Sequence, residues 1–286
     1  MKRTLDEKYL ELANEILETG TEKENRTGIN TISITGTMIK HDMADGFPLL
    51  TTKRVFYKAM AVELEGFIKG ITSKDWYKSK GCNIWNEWCN PAVIPSNLKG
   101  QDRKDFMLNE NDLGKVYGSQ WRNFDGQGYD QVKNVLNTLQ SNPNDRRMIV
   151  SAWNPNVLDE QALPPCHVLW HVIVRDGKLD LIWYQRSVDV FLGLPFNIAS
   201  YGLLLSLLAK ETGFEPGTLT GFLGDTHLYV NHKDQIKLQT ERLSGQKPLP
   251  RIEIAENIDV LHFDCEKDVK LIDYSHCGII AGKVAI

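Results

Sequence analysis

Apolar residues at helical spacing mark two segments in the first quarter of the chain. From Leu5 to Leu17 they fall three or four positions apart, and Gly20 follows, so the pattern predicts a helix that ends at this glycine. A second helical pattern runs from Lys53 to Lys69 and places Glu63 on a stripe that is otherwise apolar. A carboxylate there is unusual, because burying a charge is costly and raises the pKa of an acid.

Alternating apolar runs from Met148 to Ser187 predict two strands joined by a tight turn. The turn is Arg-Asp-Gly-Lys at residues 175–178, a sequence typical of a two-residue hairpin. Without a bulge, the pairing places Cys166 opposite Ser187 with Arg186 close by. A guanidinium next to a thiol favours the thiolate, so we expect Cys166 to be activated.

The second half of the chain mixes strands and helices without regular alternation. The pattern predicts an apolar helix over residues 197–212, short strands at 219–229 and 251–263, and a polar helix at 232–242. A parallel α/β sheet would require alternating strands and helices. We therefore predict an α+β fold with a large mixed or antiparallel sheet packed by helices, in a single domain covering residues 1–286.

Composition narrows the class of protein and its location. Of 286 residues, 42% are apolar and 24% charged, with a net charge of −4, so an anionic ligand must be met by a local group of arginines. The five cysteines are odd in number and irregularly spaced, which favours reduced thiols over disulfides or a zinc site. The charged N-terminus and the short apolar run at 203–209 predict no signal peptide, no membrane span and a cytoplasmic location.

Cys166 is the strongest candidate for a nucleophile. A lone cysteine is often just a small buried apolar residue. Here two prolines precede it, His167 follows, and Arg186 lies nearby by the predicted pairing. A thiolate that attacks an electron-poor carbon needs this kind of rigid, electropositive setting.

Arginines and other polar residues suggest a phosphorylated ligand. Arg146 and Arg147 form a pair before a strand, and Arg186 lies inside an apolar strand, where an unpaired charge is expensive; their forked donors suit a phosphate. Isolated polar residues in apolar runs usually make hydrogen bonds within the protein interior. The amide of Asn197 could also act on a ligand, because it can both donate to and accept from the edge of uracil. Trp85 and Trp88 are core residues or walls for a flat heterocycle.

These candidates fall in ordered blocks along nearly the whole chain. The blocks are Asn25-Arg-Thr-Gly28, Leu50-Thr-Thr-Lys53, Ile84-Trp-Asn-Glu-Trp88, Val116-Tyr-Gly118 with Gln120-Trp-Arg122, Asn144-Asp-Arg-Arg147, Leu163-Pro-Pro-Cys-His167, Trp183 to Tyr201, and Gly224-Asp-Thr-His-Leu-Tyr229. In them the chain closely resembles the folate-dependent thymidylate synthases that use a catalytic cysteine.

The resemblance implies a dUMP site in a homodimer that forms through a face of the sheet. Cys166 would attack C6 of dUMP, and Asn197 would read the uracil edge. The remaining implied contacts to the nucleotide come from Arg26, Gln185, Arg186, Ser187, His227 and Tyr229, with Arg146 and Arg147 reaching the phosphate from the second subunit.

The resemblance also implies 5,10-methylenetetrahydrofolate as co-substrate and no metal, membrane or nucleic-acid partner. Glu63 would organise water for proton transfers, and Tyr117 would assist proton removal from C5. The catalytic group would also include Asn197, Asp189 and His167. The implied folate contacts are Lys53, Ile84, Trp85, Trp88, Asp189, Leu192, Gly193, Phe196 and Ala285, with the last three residues of the chain closing over the ligands.

One departure leaves a second reaction open. The family usually has Leu-Leu-Trp after the residue at Glu63, whereas this chain reads Leu64-Glu65-Gly66. Phage nucleotide hydroxymethylases often carry a glutamate at the position of Glu65, and loss of a tryptophan at Gly66 could admit water to form a hydroxymethyl group instead of a methyl group. A third alternative is a catalytically silent nucleic-acid-binding or regulatory relative; the near-complete catalytic set and the sequence pI of about 6.0 argue against it.

Overall fold

The N-terminal helix has the boundaries that its sequence dictates. In the computed structural model, which describes residues 2–284, α1 runs from Leu5 to Thr19. Thr4 and Glu7 form a reciprocal capping box at its start, and Gly20 caps its end, so backbone groups are satisfied at both ends. Its apolar face is buried against two strands of the main sheet, Thr31–Asp42 and Glu215–Tyr229.

Six strands form one mixed sheet in the order β1-β2-β6-β5-β4-β3. Only β5 and β6 pair in parallel; the other neighbours are antiparallel, which confirms the predicted α+β fold with a mixed sheet. The strands are β1 (Thr21–Lys23), β2 (Thr31–Asp42), β3 (Ile149–Ser151), β4 (His167–Arg175), β5 (Lys178–Asp189) and β6 (Glu215–Tyr229), while β7 (Arg251–Ile254) and β8 (Val269–Ile272) form a separate pair.

Helices cover one side of this sheet. The parallel pair β5 and β6 is joined by α7, which is apolar nearly all round and contacts both strands and α2, as expected for a buried crossover helix. The other helices are α2 (Tyr57–Lys69), α3 (Lys74–Ser79), α4 (Gly100–Asn109), α5 (Tyr117–Arg122), α6 (Gln131–Ser141), α7 (Leu194–Thr212) and α8 (Lys233–Glu241).

The hairpin between β4 and β5 has the predicted turn but a different register near the cysteine. Asp176 and Gly177 both have positive φ, as this type of turn requires. A bulge at Val168 then shifts the pairing by one residue, so His167 pairs with Gln185. Cys166 therefore lies opposite Arg186, whose N–H donates to its carbonyl at 2.9 Å, and the predicted pairing with Ser187 is wrong.

Two predicted boundaries are also wrong. Helix α2 begins at Tyr57 and not at Lys53, and Phe56 gives it no side-chain cap. The strand predicted over 251–263 stops at Ile254. The side chain of Asp259 accepts from the backbone N–H of Leu261 and starts a short 3-10 turn, because this local bond competes with strand pairing. None of the helices within residues 2–284 combines the length and the apolar character needed to cross a membrane.

Candidate active site

Cys166 lies in the short segment that enters β4, with its side chain half-buried. The guanidinium of Arg186 fixes this segment by donating from Nε to the Pro165 carbonyl and from Nη2 to the Pro164 carbonyl, both at 2.9 Å. It also lies 5.5 Å from the ring centre of Trp153. The prolines restrict the backbone and the arginine restrains it from the next strand, so the thiol is held in place.

Burial outweighs the cations in setting the state of this thiol. Burial raises the pKa of Cys166, while Arg186 and Arg26 lower it by smaller amounts. The arginines act in the expected direction, yet the net shift of the pKa is upward. Arg186 therefore favours the thiolate, as the sequence predicts, and burial of the thiol opposes it.

Tyr117 supports the cysteine from α5. Its phenol oxygen accepts from the backbone N–H of Cys166 at 2.8 Å and, at the longer distance of 3.5 Å, from that of His167. Burial raises the pKa of this phenol well above its usual range, and the neighbouring Cys166 adds to the effect. The neutral hydroxyl thus keeps its proton and can donate it to a ligand or water.

Glu63 extends from α2 into an aromatic wall. Burial raises the pKa of its carboxyl to about 7, against a smaller lowering from the Trp85 indole. Phe67 packs against both Trp85 and Tyr117. Only 4% of Trp85 is exposed, and its indole nitrogen faces the Glu63 carboxyl, near enough to lower that pKa although it does not meet hydrogen-bond geometry. An acid that titrates near neutral pH beside an N–H donor suits proton transfer.

An ordered amide pair lies at the junction of β5 and α7. Gln185 Nε2 donates to Asn197 Oδ1 at 2.9 Å and to the Ser187 carbonyl at 3.1 Å. Its Oε1 accepts from the indole of Trp183 at 3.3 Å. Burial lowers the pKa of His167 to about 4, with a smaller opposing effect of Asn197, so this imidazole is neutral at physiological pH.

Three further predicted contacts to the nucleotide reach this region from the loop after β1 and from the end of β6. Arg26 is exposed and lies 5.7 Å from the ring centre of Trp88. It is close enough to Cys166 to lower the pKa of the thiol. The rings of His227 and Tyr229 are 5.5 Å apart, and Tyr229 interacts with Arg26 as well.

Four of the nine residues predicted to contact folate lie from the end of β5 to the first turn of α7. Asp189 Oδ1 accepts from the backbone N–H groups of Phe191 and Leu192, both at 3.0 Å. Lys53 is buried: it donates to the Phe191 carbonyl, and its Nζ lies 3.8 Å above the Phe191 ring. Burial lowers the pKa of Lys53 to about 7, opposed by Asp189. Gly193 and Phe196 are half-buried beside them, Ile84 is exposed next to Trp85, and Ala285 lies outside the described residues.

Arg146 and Arg147 are not brought to the cysteine within this chain. Both are exposed just before β3, an edge strand, and the side chain of Arg147 is 88% exposed. Arg147 pairs with Asp145 through two contacts of 2.9 and 2.6 Å, and this holds the pKa of Asp145 down to about 2. A cavity of about 360 Å³ beside them is lined by Asp145, Arg147, Tyr129 and Gln131 among others.

The structure shows contacts around Glu65 and Gly66 that the sequence did not predict. The Glu65 carboxylate is buried and bound by Lys69 at 2.6 Å, by Lys80 at 2.7 Å and by the backbone N–H of Cys265 at 3.1 Å. Burial raises its pKa, but these donors together leave the pKa lowered. A side chain at position 66 would overlap the ring of Tyr77, so tyrosine already occupies the space that the glycine leaves.

One neighbour of the cysteine was not predicted from the sequence. Trp153 supports the Arg186 guanidinium, yet it lies 33 positions earlier in the chain. No spacing rule connects an arginine in a strand with an aromatic residue that precedes a distant turn. Among residues 2–284, no group of three His, Cys, Asp or Glu side chains is placed to hold a metal ion.

Comparison with known proteins agrees with this geometry. The family model described as thymidylate synthase matches residues 7–286. A thymidylate synthase of Mycoplasma genitalium is 44% identical over 289 aligned positions, covering 97% of this chain and 99% of the relative. Thymidylate synthases of Mesoplasma florum and Mycoplasma pneumoniae are 45% and 43% identical, with coverage of 97–98% of this chain and 99–100% of theirs. With a cysteine held by Arg186 and Tyr117 and a match along nearly its whole length, the chain belongs to the thymidylate synthase family of methyltransferases.

Proposed function

We propose that this protein converts dUMP to dTMP with 5,10-methylenetetrahydrofolate as co-substrate. The observation that carries the proposal is the fixed Cys166 beside the guanidinium of Arg186 and the phenol of Tyr117, in a member of this family. The Cys166 sulfur adds to C6 of the uracil as the thiolate, which Arg186 and Arg26 favour, and the electron pair of the C5–C6 double bond makes C5 a carbon nucleophile. Covalent addition thus divides one difficult substitution into easier steps.

The chain's own residues hold the nucleotide for this attack. In this proposal Arg26 and Ser187 meet the phosphate together with Arg186, which uses the N–H groups that the Pro164 and Pro165 carbonyls leave free. Gln185 and Asn197 face the uracil edge, while His227 and Tyr229 bind the ribose hydroxyl. His167 is neutral because its pKa is about 4, so it does not compete with the arginines for the phosphate, and it lies against Tyr117 and Tyr201.

The residues around Trp85 fit a flat co-substrate. Ile84 is 42% exposed beside Trp85, whose buried indole N–H faces Glu63, so an apolar surface lies next to a polar group that manages protons. Asp189, Leu192, Gly193 and Phe196 form the opposite side, and Trp88, Lys53 and Ala285 complete the proposed set. When bound, the folate supplies a one-carbon unit and a hydride.

Glu63 and Tyr117 manage protons in this scheme. The ionised carboxylate of Glu63 orders water near the uracil, and its pKa of about 7 lets it accept and return a proton near neutral pH. The Tyr117 hydroxyl is anchored on two backbone N–H groups beside the thiol and guides removal of the C5 proton.

The reaction product separates this proposal from the alternative. Incubating the protein with dUMP and methylenetetrahydrofolate is expected to give dTMP with an equal amount of dihydrofolate, followed by absorbance and by mass spectrometry of the nucleotide. Formation of 5-hydroxymethyl-dUMP with tetrahydrofolate, and no dihydrofolate, would instead identify a hydroxymethylase in which water captures the one-carbon unit.

The packing near α2 supports the methyl product. A wider pocket at Gly66 was the reason to consider hydroxymethylation, but Tyr77 fills that space. Glu65 is engaged by Lys69 and Lys80, so its carboxylate is already neutralised on the other side of the helix from a nucleotide bound at Cys166. Neither residue offers an evident route for water to the reacting carbon.

The exposed face of the main sheet supports a homodimer as the working form. Met38, Tyr184 and Phe222 are 56%, 40% and 45% exposed on adjoining strands, and apolar side chains clustered on a sheet face are typical of an interface. We propose that a second copy covers this face and brings its Arg146 and Arg147 to the phosphate. Residues 1–286 would then form one catalytic unit per subunit, in the cytoplasm.

Mixed dimers test the shared site. A Cys166→Ala subunit keeps its arginines, and a subunit with Arg146→Glu and Arg147→Glu keeps its cysteine, so each homodimer is expected to be inactive. Refolding them together in equal amounts makes half of the dimers mixed, each with one intact site, and restores about a quarter of the wild-type turnover. A mixture as inactive as its parents would show that the arginines act within their own subunit. An active homodimer of the arginine variant would show that they have no part in the site.

A further inference from the structure

The indole of Trp183 is held in one position beneath the proposed uracil site. It is completely buried in β5 and stacks on Tyr201 with ring centres 5.1 Å apart and planes at 13°. Its register partner in β6 is Gly221, where any side chain would overlap the indole. The indole therefore cannot turn its nitrogen elsewhere without disturbing both neighbours.

This fixed nitrogen determines which way the amide of Gln185 points. An indole N–H only donates, and it donates to Gln185 Oε1 at 3.3 Å. A backbone carbonyl only accepts, and that of Ser187 accepts from Gln185 Nε2 at 3.1 Å. Both anchors require the same orientation, with the oxygen of the amide towards Trp183 and the nitrogen towards Asn197.

The orientation passes from Gln185 to Asn197. Gln185 Nε2 donates to Asn197 Oδ1 at 2.9 Å, so the amide of Asn197 cannot be reversed without setting two NH2 groups against each other. Asn197 then presents an oxygen that accepts from N3–H of uracil and a nitrogen that donates to O4. Cytosine has an acceptor at N3 and a donor at its exocyclic amine, and it needs the reversed amide.

We propose that Trp183 is a specificity-determining positioning residue that selects uracil over cytosine through Gln185 and Asn197. It touches neither the base nor the folate, and it acts by making the reversed amide pair unfavourable. The inference rests on the proposed nucleotide site and adds to it a residue in the layer below. Loss of the indole N–H removes one of the two anchors. The free-energy cost of reversing the amide pair for cytosine then falls by about the contribution of one buried hydrogen bond.

The chain provides a matched control in Trp170, which pairs directly with Trp183 across β4 and β5. Trp170 is also completely buried, but its indole nitrogen has no hydrogen-bond partner among the described residues. Trp183→Phe and Trp170→Phe thus remove the same atoms from the same layer of the core. Only the first removes a hydrogen bond.

The experiment measures the dissociation constants of dUMP and dCMP by calorimetry for the wild type and both variants, with thermal unfolding to verify folding. In Trp183→Phe the ratio of the dCMP to the dUMP dissociation constant is expected to fall about fivefold. In Trp170→Phe the same ratio is expected to stay within about twofold, even if both nucleotides bind more weakly. If the role of Trp183 were purely structural, Trp183→Phe would weaken the binding of both nucleotides equally. An unchanged ratio of the two dissociation constants in a folded Trp183→Phe protein would therefore overturn the proposal.

A second variant covers the case in which Trp183→Phe does not fold. Gln185→Glu keeps an acceptor for Trp183 but replaces the donor that faces Asn197 with an oxygen, so Asn197 is expected to reverse and the ratio to fall more than in Trp183→Phe. A folded Gln185→Glu protein with the wild-type ratio would contradict the relay. If the wild type binds neither nucleotide, the proposed function itself fails. If the wild type prefers dUMP and neither variant changes the ratio of the dissociation constants, only the inference about Trp183 fails.

Discussion

Replacing Cys166 with alanine is expected to abolish formation of dTMP, with a fall in kcat of at least about 10⁴-fold. The sulfur is the atom that makes C5 of the uracil nucleophilic, and Arg186 and Tyr117 cannot form that bond in its place. The same variant is expected to form no covalent adduct with 5-fluoro-dUMP, because the adduct needs the bond from sulfur to C6. Intact-protein mass spectrometry after incubation with 5-fluoro-dUMP and methylenetetrahydrofolate checks this directly.

Cys277 supplies the matched control for the nucleophile. Its thiol is also half-buried, and it donates to the Gly245 carbonyl at 3.1 Å. Cys277→Ser keeps a donor at that position, so it is expected to retain both turnover and the adduct. An adduct that persists in Cys166→Ala, located by peptide mapping on another cysteine, would place the nucleophile elsewhere in the chain.

Local sequence signals predicted the hairpin that brings Arg186 to Cys166, but not its detail. The Asp176-Gly177 turn has the positive φ angles that its residues favour. The bulge at Val168 has no comparable signal, because its carbonyl accepts from Ala152 and Trp153, which come from an earlier segment. Cys166 still has an arginine neighbour, because the shift of one residue makes Arg186 its partner across the strands in place of Ser187.

Contacts between distant segments account for what the sequence could not predict at the site. The helical stripe correctly indicated that Glu63 would have a raised pKa, since the period alone places it on the buried face. The interpretation of Gly66 as open space failed because Tyr77, from the next helix, fills it. The burial that raises the pKa of the Cys166 thiol likewise depends on how several elements pack around it.

Glu63→Gln is expected to lower kcat by about 10²–10³-fold and to make the protein more stable at alkaline pH. The loss of rate follows from removing a proton acceptor that titrates near neutral pH, and the limb of the kcat/KM profile near pH 7 should disappear. The folded-state pKa of about 7 exceeds the reference value of 4.5, so ionising Glu63 opposes folding as the pH rises from about 4.5 to 7. The variant avoids this cost, which is about 2–3 kcal/mol at pH 8 and vanishes near pH 4.

Glu65→Gln, two residues further along the same helix, is the control. It is expected to change the stability at pH 8 in the opposite direction to Glu63→Gln. The pKa of Glu65 is lowered in the folded state because Lys69, Lys80 and the Cys265 backbone outweigh the effect of burial. Its charge therefore stabilises the fold above about pH 4.5, and the glutamine variant is expected to have a lower Tm at pH 8 than the wild type. Thermal unfolding at pH 5 and pH 8 distinguishes the two glutamates. If Glu63→Gln also lost stability at pH 8, or retained the wild-type pH profile, its carboxyl would be a structural group with no part in proton transfer.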